Sequence, residues 1–162
     1  MILDYDTIIL DLDDTVWHGS EKNIWAKTLR GQITLQNVND QKRVYDETGR
    51  YLYLDKDIVV FLNKLKNDFK RIEFISRGML PCISFDKQPS IIALKYFDIF
   101  HLFDKRTLLY KNENKGHHII STGKTIFIDD NDIDVNRVQK LHKNITCINR
   151  NIFDNWMHLY ER

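Results

Sequence analysis

Thr7-Ile8-Ile9-Leu10-Asp11-Leu12-Asp13-Asp14-Thr15 is the stretch whose reading decides the fold. Three apolar residues after a β-branched threonine run directly into three carboxylates. A short run with no polar face suits a strand buried on both sides of a parallel sheet. Carboxylates at its carboxyl end stand where open α/β sheets bind their ligands. Ile72-Glu73-Phe74-Ile75, Thr125-Ile126-Phe127-Ile128 and Ile145-Thr146-Cys147-Ile148 repeat the pattern. Helical patterns lie between these runs. Over 55–68, Ile58, Val59, Phe61, Leu62 and Leu65 share one face. Further helices are expected over 89–97, with Pro89 near its start, over 113–121 and over 134–142. Strands alternating with helices predict an α/β fold, a parallel sheet sandwiched by helices.

The segment 19–54 interrupts that rhythm. Ile33-Thr34-Leu35 and Val44-Tyr45 flank the polar residues 37–42, and Glu47-Thr48-Gly49 reads as a turn before Tyr51-Leu52-Tyr53-Leu54. A β-hairpin insertion is expected there, too short for a separate domain. The tail 152–162 carries Phe153, Trp156, Met157 and Tyr160 at helical spacing and is read as a closing helix. One domain over 1–162 follows.

Composition narrows the function classes. The chain has 162 residues, of which 43% are hydrophobic and 29% charged, so a packed core is expected rather than disorder. A formal net charge of +1 makes no case for a nucleic-acid partner held through bulk charge, although it leaves room for a local basic groove. Lys42, Arg43, Arg50, Lys70 and Arg71 are scattered among acids. No apolar run approaches the ~20 residues of a membrane span. Met1-Ile2-Leu3-Asp4-Tyr5-Asp6 lacks the basic start and apolar run of a signal peptide. Cys82 and Cys147 match no metal spacing and read as reduced thiols of a cytoplasmic protein.

Three strand ends carry the chemistry. Asp11 and Asp13 fall on the same side if the first strand continues. Two carboxylates that close repel unless a cation separates them or one is protonated. Magnesium, a hard cation that takes oxygen ligands, meets that need. A carboxylate so placed can attack phosphorus while the second serves as general acid. Ser76-Arg77-Gly78 offers a hydroxyl, a cation and backbone N–H groups to a phosphate. Asp129-Asp130 supplies adjacent acids that are costly at a buried strand end without a cation. Each cluster alone also reads as a helix cap or turn; their conjunction points to a magnesium–phosphate site. The phosphate charge calls for a lysine as well. Lys124 stands at the start of a strand, at the wrong end of the sheet, whereas Lys111 and Lys115 can both reach inward.

In this order, Asp11-Leu12-Asp13-Asp14-Thr15, Ser76, a lysine and Asp129-Asp130 resemble the haloacid dehalogenase superfamily of phosphotransferases. Asp11 to Trp17, Phe74 to Arg77, Lys95 to Phe103, Phe127 to Asp130 and Ile145 to Ile148 are similar to the small magnesium-dependent acid phosphatases. The resemblance implies a Rossmann-like core, one Mg²⁺ and a short hairpin in place of a large cap. It implies a phosphomonoesterase that forms an aspartyl-phosphate on Asp11, with Asp13 as acid/base. Ser76, Arg77 and Lys115 would hold the phosphoryl group, Lys115 being favoured over Lys111 because His118 follows it by three residues. Asp11, the backbone carbonyl of Asp13, and Asp129 or Asp130 would hold the metal. Asp14 departs from the pattern, as does the loop 79–88. Phe127 to Asn131 equally resembles glyceryl-transferring relatives. A nucleic-acid end-processing phosphatase and a non-catalytic phosphate-binding module are the remaining alternatives; the intact set Asp11, Asp13, Ser76, Asp129 and Asp130 argues against the latter. The expected substrate is a phosphorylated small molecule or phospho-residue, with no membrane partner.

Overall fold

β1 (Thr7–Leu10) is buried along its whole length, as a strand covered on both faces must be. The computed structural model describes residues 1–161. β1 lies at the centre of a five-stranded parallel sheet with β6 (Arg71–Ser76) on one side and β8 (Thr125–Asp129) on the other. The edges are β7 (Lys105–Leu108) beyond β6 and β9 (Ile145–Asn149) beyond β8. The four expected strands are all present, and β7 is a fifth. Its sequence, Lys105-Arg106-Thr107-Leu108, hides it: three of its four residues are only half-buried at the sheet edge, so no apolar run marks it.

Two cores sandwich the sheet. Ile8, Leu10, Phe74 and Ile126 pack on one side with α1 (Ile58–Asn67) and α2 (Pro89–Tyr96). Ile9, Ile75 and Phe127 pack on the other with Val138 of α3 (Asp132–Leu141). The chain runs from β1 to β6 and β7, then crosses back to β8 and β9 on the far side of β1. The strand order therefore reverses between β1 and β8, which is where such sheets open a crevice at their carboxyl ends.

The insertion after β1 is larger than one hairpin. β2 (Trp17–Gly19), β3 (Thr34–Val38), β4 (Gln41–Tyr45) and β5 (Tyr51–Leu54) form an antiparallel sheet in the order β2-β5-β4-β3. Asn39 and Asp40, both with positive φ, make the β3–β4 turn. Asp46 closes the turn before β5. It accepts from the N–H groups of Thr48 and Arg50, from the Thr48 hydroxyl and from the Arg50 guanidinium, and these bonds hold its carboxyl well below the usual range despite its burial. Val44 and Leu52 face inward and are fully buried, which fixes the register.

Two helical expectations are corrected. The segment 113–121 holds only a 3-10 turn, Lys115–His118, capped by Asn114, whose side chain accepts from Gly116 N. A Cβ at Gly116 would stand 2.7 Å from Leu141 of α3, so the turn packs too closely on that helix to continue as one of its own. The closing helix over 152–162 shrinks to α4 (His158–Glu161), with position 162 outside the described residues. Its aromatic anchors act from irregular backbone instead. Trp156 is fully buried against Phe61 and Phe153, and its Nε1 donates to Asp55 Oδ2 at 2.8 Å.

Asp55, just before α1, is a hub. Arg150 donates to Asp55 Oδ2 from two nitrogens, and His18 Nε2 lies 3.1 Å from Asp55 Oδ1. His18 Nδ1 is 3.7 Å from Asp14, an ionic approach rather than a hydrogen bond. The carboxylates of Asp14 and Asp55 outweigh burial and push His18 up to about 9. A base raised above its ordinary 6.5 adds stability that is complete below that value and disappears as pH rises through 9. In urea unfolding, the wild type should therefore exceed His18→Gln at pH 6 and lose most of that advantage by pH 10. A gap that widens with pH would contradict the assignment.

Candidate active site

β1 and its neighbours bring the predicted residues to one edge. Leu10 pairs with Phe74 on one side and Ile128 on the other, so Asp11 and Asp129 stand level, and Ser76 sits one step further along. The Asp11 N–H continues the ladder to Ile128 O at 3.0 Å. The chain then turns sharply: Thr15, Val16 and Trp17 all direct their N–H groups at Leu12 O. Asp14 takes the left-handed conformation this turn needs, with φ 58°, which Asp tolerates better than most residues. The turn projects Asp11, Asp13 and Asp14 into a cavity of about 450 Å³ that Ser76, Lys115, Asp129 and Asp130 also line.

Lys115 is the centre of the site's charge balance. Its Nζ donates to Asp11 Oδ1 and Asp129 Oδ2, both at 2.6 Å, and lies 3.7 Å from Asp134. The side chain is 4% exposed, so this ammonium is desolvated, yet the carboxylates of Asp11 and Asp129 raise its pKa against that burial. Lys111 lines the cavity wall instead. Burial raises Asp11 well above the usual carboxylate range; Lys115 opposes the rise, and Asp129 and Asp13 add to it. Asp130 is pushed up to about 7, by burial first and by Asp129 second.

Asp13 occupies a different environment. Its Oδ1 accepts from Trp17 Nε1 at 2.8 Å and from Ala26 N at 3.0 Å. These bonds favour the carboxylate, but burial outweighs them and raises the pKa. Both donors stand on Oδ1, so Oδ2 accepts no hydrogen bond among the described residues. Asp14, by contrast, is held below the usual range by His18 and by Trp25 Nε1, which donates to its Oδ2 at 3.2 Å.

Arg77, expected to hold phosphate, lines the cavity but commits its guanidinium elsewhere. Two of its nitrogens donate to the two oxygens of Asp134, and its Nε donates to Glu113 O at 3.0 Å. Sequence reasoning missed Asp134, a first-turn acid of α3 that is 57 positions from its partner. The only signal was its place one turn after Asp130. Thr15 was also missed; its hydroxyl accepts from Asp130 N at 3.2 Å. Trp25 forms part of the cavity wall. Tyr51 does not line it and stacks on the insertion sheet.

Oxygens of Asp11, Asp129 and Asp130 lie within 4.8 Å of one another. Three carboxylates against one ammonium leave excess negative charge in a largely buried place, and the raised Asp130 expresses that excess. The donors are all hard oxygens without Cys or His, which fits magnesium and not zinc.

No protein-family model matches this sequence, and no curated protein matches it. Solved structures similar to the chain include two of Fcp1. One is the structure of Fcp1, an essential RNA polymerase II CTD phosphatase, at 15% identity with a TM-score of 0.48. The other is the fission yeast RNA polymerase II CTD phosphatase Fcp1, as a variant bound to beryllium fluoride, at 14% identity with a TM-score of 0.47. Each likeness covers 91% of this chain and 42% of the other, so the chain spans well under half the length of these structures.

Proposed function

We propose that the chain is a magnesium-dependent phosphomonoesterase in which Asp11 accepts the phosphoryl group and passes it to water. The observation that carries this reading is the meeting of Asp11, Asp129, Asp130 and Lys115 at the β1–β8 crevice, with buried Ser76 on the same rim.

The metal would be held by Asp11, Asp129 or Asp130, and the backbone carbonyl of Asp13. When bound, Mg²⁺ supplies positive charge that screens the attacking carboxylate from the phosphate. Lys115 fixes Asp11 through Oδ1, and Asp11 Oδ2 has no hydrogen-bond partner among the described residues. Oδ2 is therefore the attacking atom. Its bond to phosphorus forms as the ester P–O bond breaks, and Asp13 gives its proton to the departing oxygen. Asp13, now a carboxylate, takes a proton from water as that water attacks phosphorus. Inorganic phosphate leaves and Asp11 is regenerated. Ser76 and Lys115 hold the phosphate oxygens through these steps.

Hydrolysis of nitrophenyl phosphate should require magnesium and stop with a chelator; full turnover in excess chelator would exclude the metal assignment. A second measurement reads the site without turnover. Lys115→Met strips the buried carboxylates of their one ammonium and should destabilise the apo protein by about 3–5 kcal/mol, as removal of one partner from a buried pair does. Magnesium should recover part of that loss in thermal melts. An equal deficit with and without magnesium would mean that the three acids do not form a cation site.

A further inference from the structure

The outer face of the insertion sheet carries a ladder of rings. Strand alternation sends Val44 and Leu52 into the core and leaves Arg43, Tyr45, Tyr51 and Tyr53 on the opposite face, all half-buried. Tyr51 lies 4.9 Å from Tyr45 and 6.3 Å from Tyr53 between ring centroids, and Tyr53 lies 5.6 Å from the His18 ring. The Arg43 guanidinium spreads over the Tyr51 ring at 4.5 Å and donates to Tyr45 Oη at 3.2 Å. Among the described residues it has no carboxylate partner. A planar cation lying on an aromatic ring without an acid presents a phosphate-binding group on a stacking surface.

The ladder leads into the cavity. His18 stands beside Asp14, and Asp14 accepts from Trp25, which forms part of the cavity wall. Lys27 lies 5.5 Å over the Trp25 ring; it makes no ion pair within 4 Å among the described residues, although its charge acts on Asp13. Lys27 near the cavity and Arg43 on the sheet thus stand at the two ends of a path of rings that also passes Asp14 and His18. A peptide would match the cations only where it carried acids, and the rings only where it carried flat or apolar side chains. Single-stranded nucleic acid matches both in every unit, with a base to stack and a phosphate to pair.

We propose that Tyr45, Tyr51, Tyr53 and Arg43 form a platform for single-stranded nucleic acid, whose terminal phosphate enters the cavity at Asp11. The proposal rests on the phosphatase reading for that last step alone. Residues scattered in sequence are gathered by the pairing of β4 with β5, so a net charge near zero conceals a local basic and aromatic strip.

The test is fluorescence anisotropy of a labelled hexathymidylate bearing a 3′-phosphate, in chelator, over a range of salt. Tyr51→Ala should weaken binding by about tenfold or more, as loss of a stacking ring does, whereas Tyr51→Phe should bind as wild type. Arg43→Gln should weaken binding and lower the salt slope by about one. Thermal melts establish that each variant is folded, and Arg43→Gln, on the surface, keeps the test decisive if Tyr51→Ala is not. No oligonucleotide binding, unchanged binding in both Tyr51→Ala and Arg43→Gln, or tighter binding of a phosphoserine peptide of equal charge would each overturn the platform. Wild-type turnover of nitrophenyl phosphate reads the phosphatase assignment separately: its absence with oligonucleotide binding intact would remove the catalytic step and keep the platform.

Discussion

Asp11→Asn is expected to abolish phosphatase activity, a loss of about 10⁴-fold or more, while leaving the protein at least as stable as the wild type. An amide oxygen is a poor nucleophile and a weak ligand for magnesium. The stability expectation follows from burial. Asp11 is 4% exposed, and its raised pKa means that the folded protein disfavours its charge. Asn removes that charge at nearly constant shape and still offers an oxygen to Lys115, which keeps Asp129 as an ionic partner. The two readouts should move apart: no turnover and no labelled phosphate trapped on the chain, but a melting temperature that holds or rises. Activity near the wild-type rate in this variant would remove the aspartyl-phosphate route altogether.

Asp13→Asn should slow turnover by ~10²–10⁴-fold, the usual contribution of a positioned acid, with little change in fold. The amide keeps an oxygen to accept from Trp17 Nε1 and Ala26 N, so the turn that carries Asp11 stays in place. What disappears is the proton for the departing oxygen. The deficit should be smallest for nitrophenyl phosphate, whose leaving group needs little protonation, and largest for alkyl phosphates. Rate should therefore depend more steeply on leaving-group pKa in the variant. Equal slopes for the two proteins would move the acid role to the neighbouring Asp14.

The sheet was legible because β1, β6 and β8 are buried almost throughout and read as short, mainly apolar runs, and because β9, half-buried at one edge, still keeps Ile145 and Ile148 in its run. β7 was not, since an edge strand needs no such run and Lys105-Arg106 can lie half in solvent. The insertion was legible as antiparallel through its turn residues, while β2 is only three residues long and starts within the turn after β1. The helix expected over 113–121 is instead a single 3-10 turn, Lys115–His118, packed closely on Leu141 of α3. At the site, Asp11, Asp13, Ser76, Asp129 and Asp130 could be gathered in advance because strand ends share one rim of a parallel sheet. The lysine was favoured through the spacing of Lys115 to His118, and Lys115 is the one that reaches Asp11 and Asp129. Whom Arg77 grips depends on how the 109–118 loop and the start of α3 come together, which no spacing within the sequence encodes.

The Asp55 hub carries a consequence for the remote end of the chain. Arg150 and Trp156 line no part of the cavity, yet they fix the carboxylate that steadies His18, and His18 in turn faces Asp14 in the loop after β1. Damage at Arg150 would take from Asp55 a guanidinium that donates to it from two nitrogens and leave His18 and Trp156 to hold the carboxylate. Any displacement of His18 would then relax the hold that keeps the Asp14 carboxyl low. A lesion far from the phosphate would be felt as altered acidity at the mouth of the pocket, with every cavity-lining side chain still in the sequence.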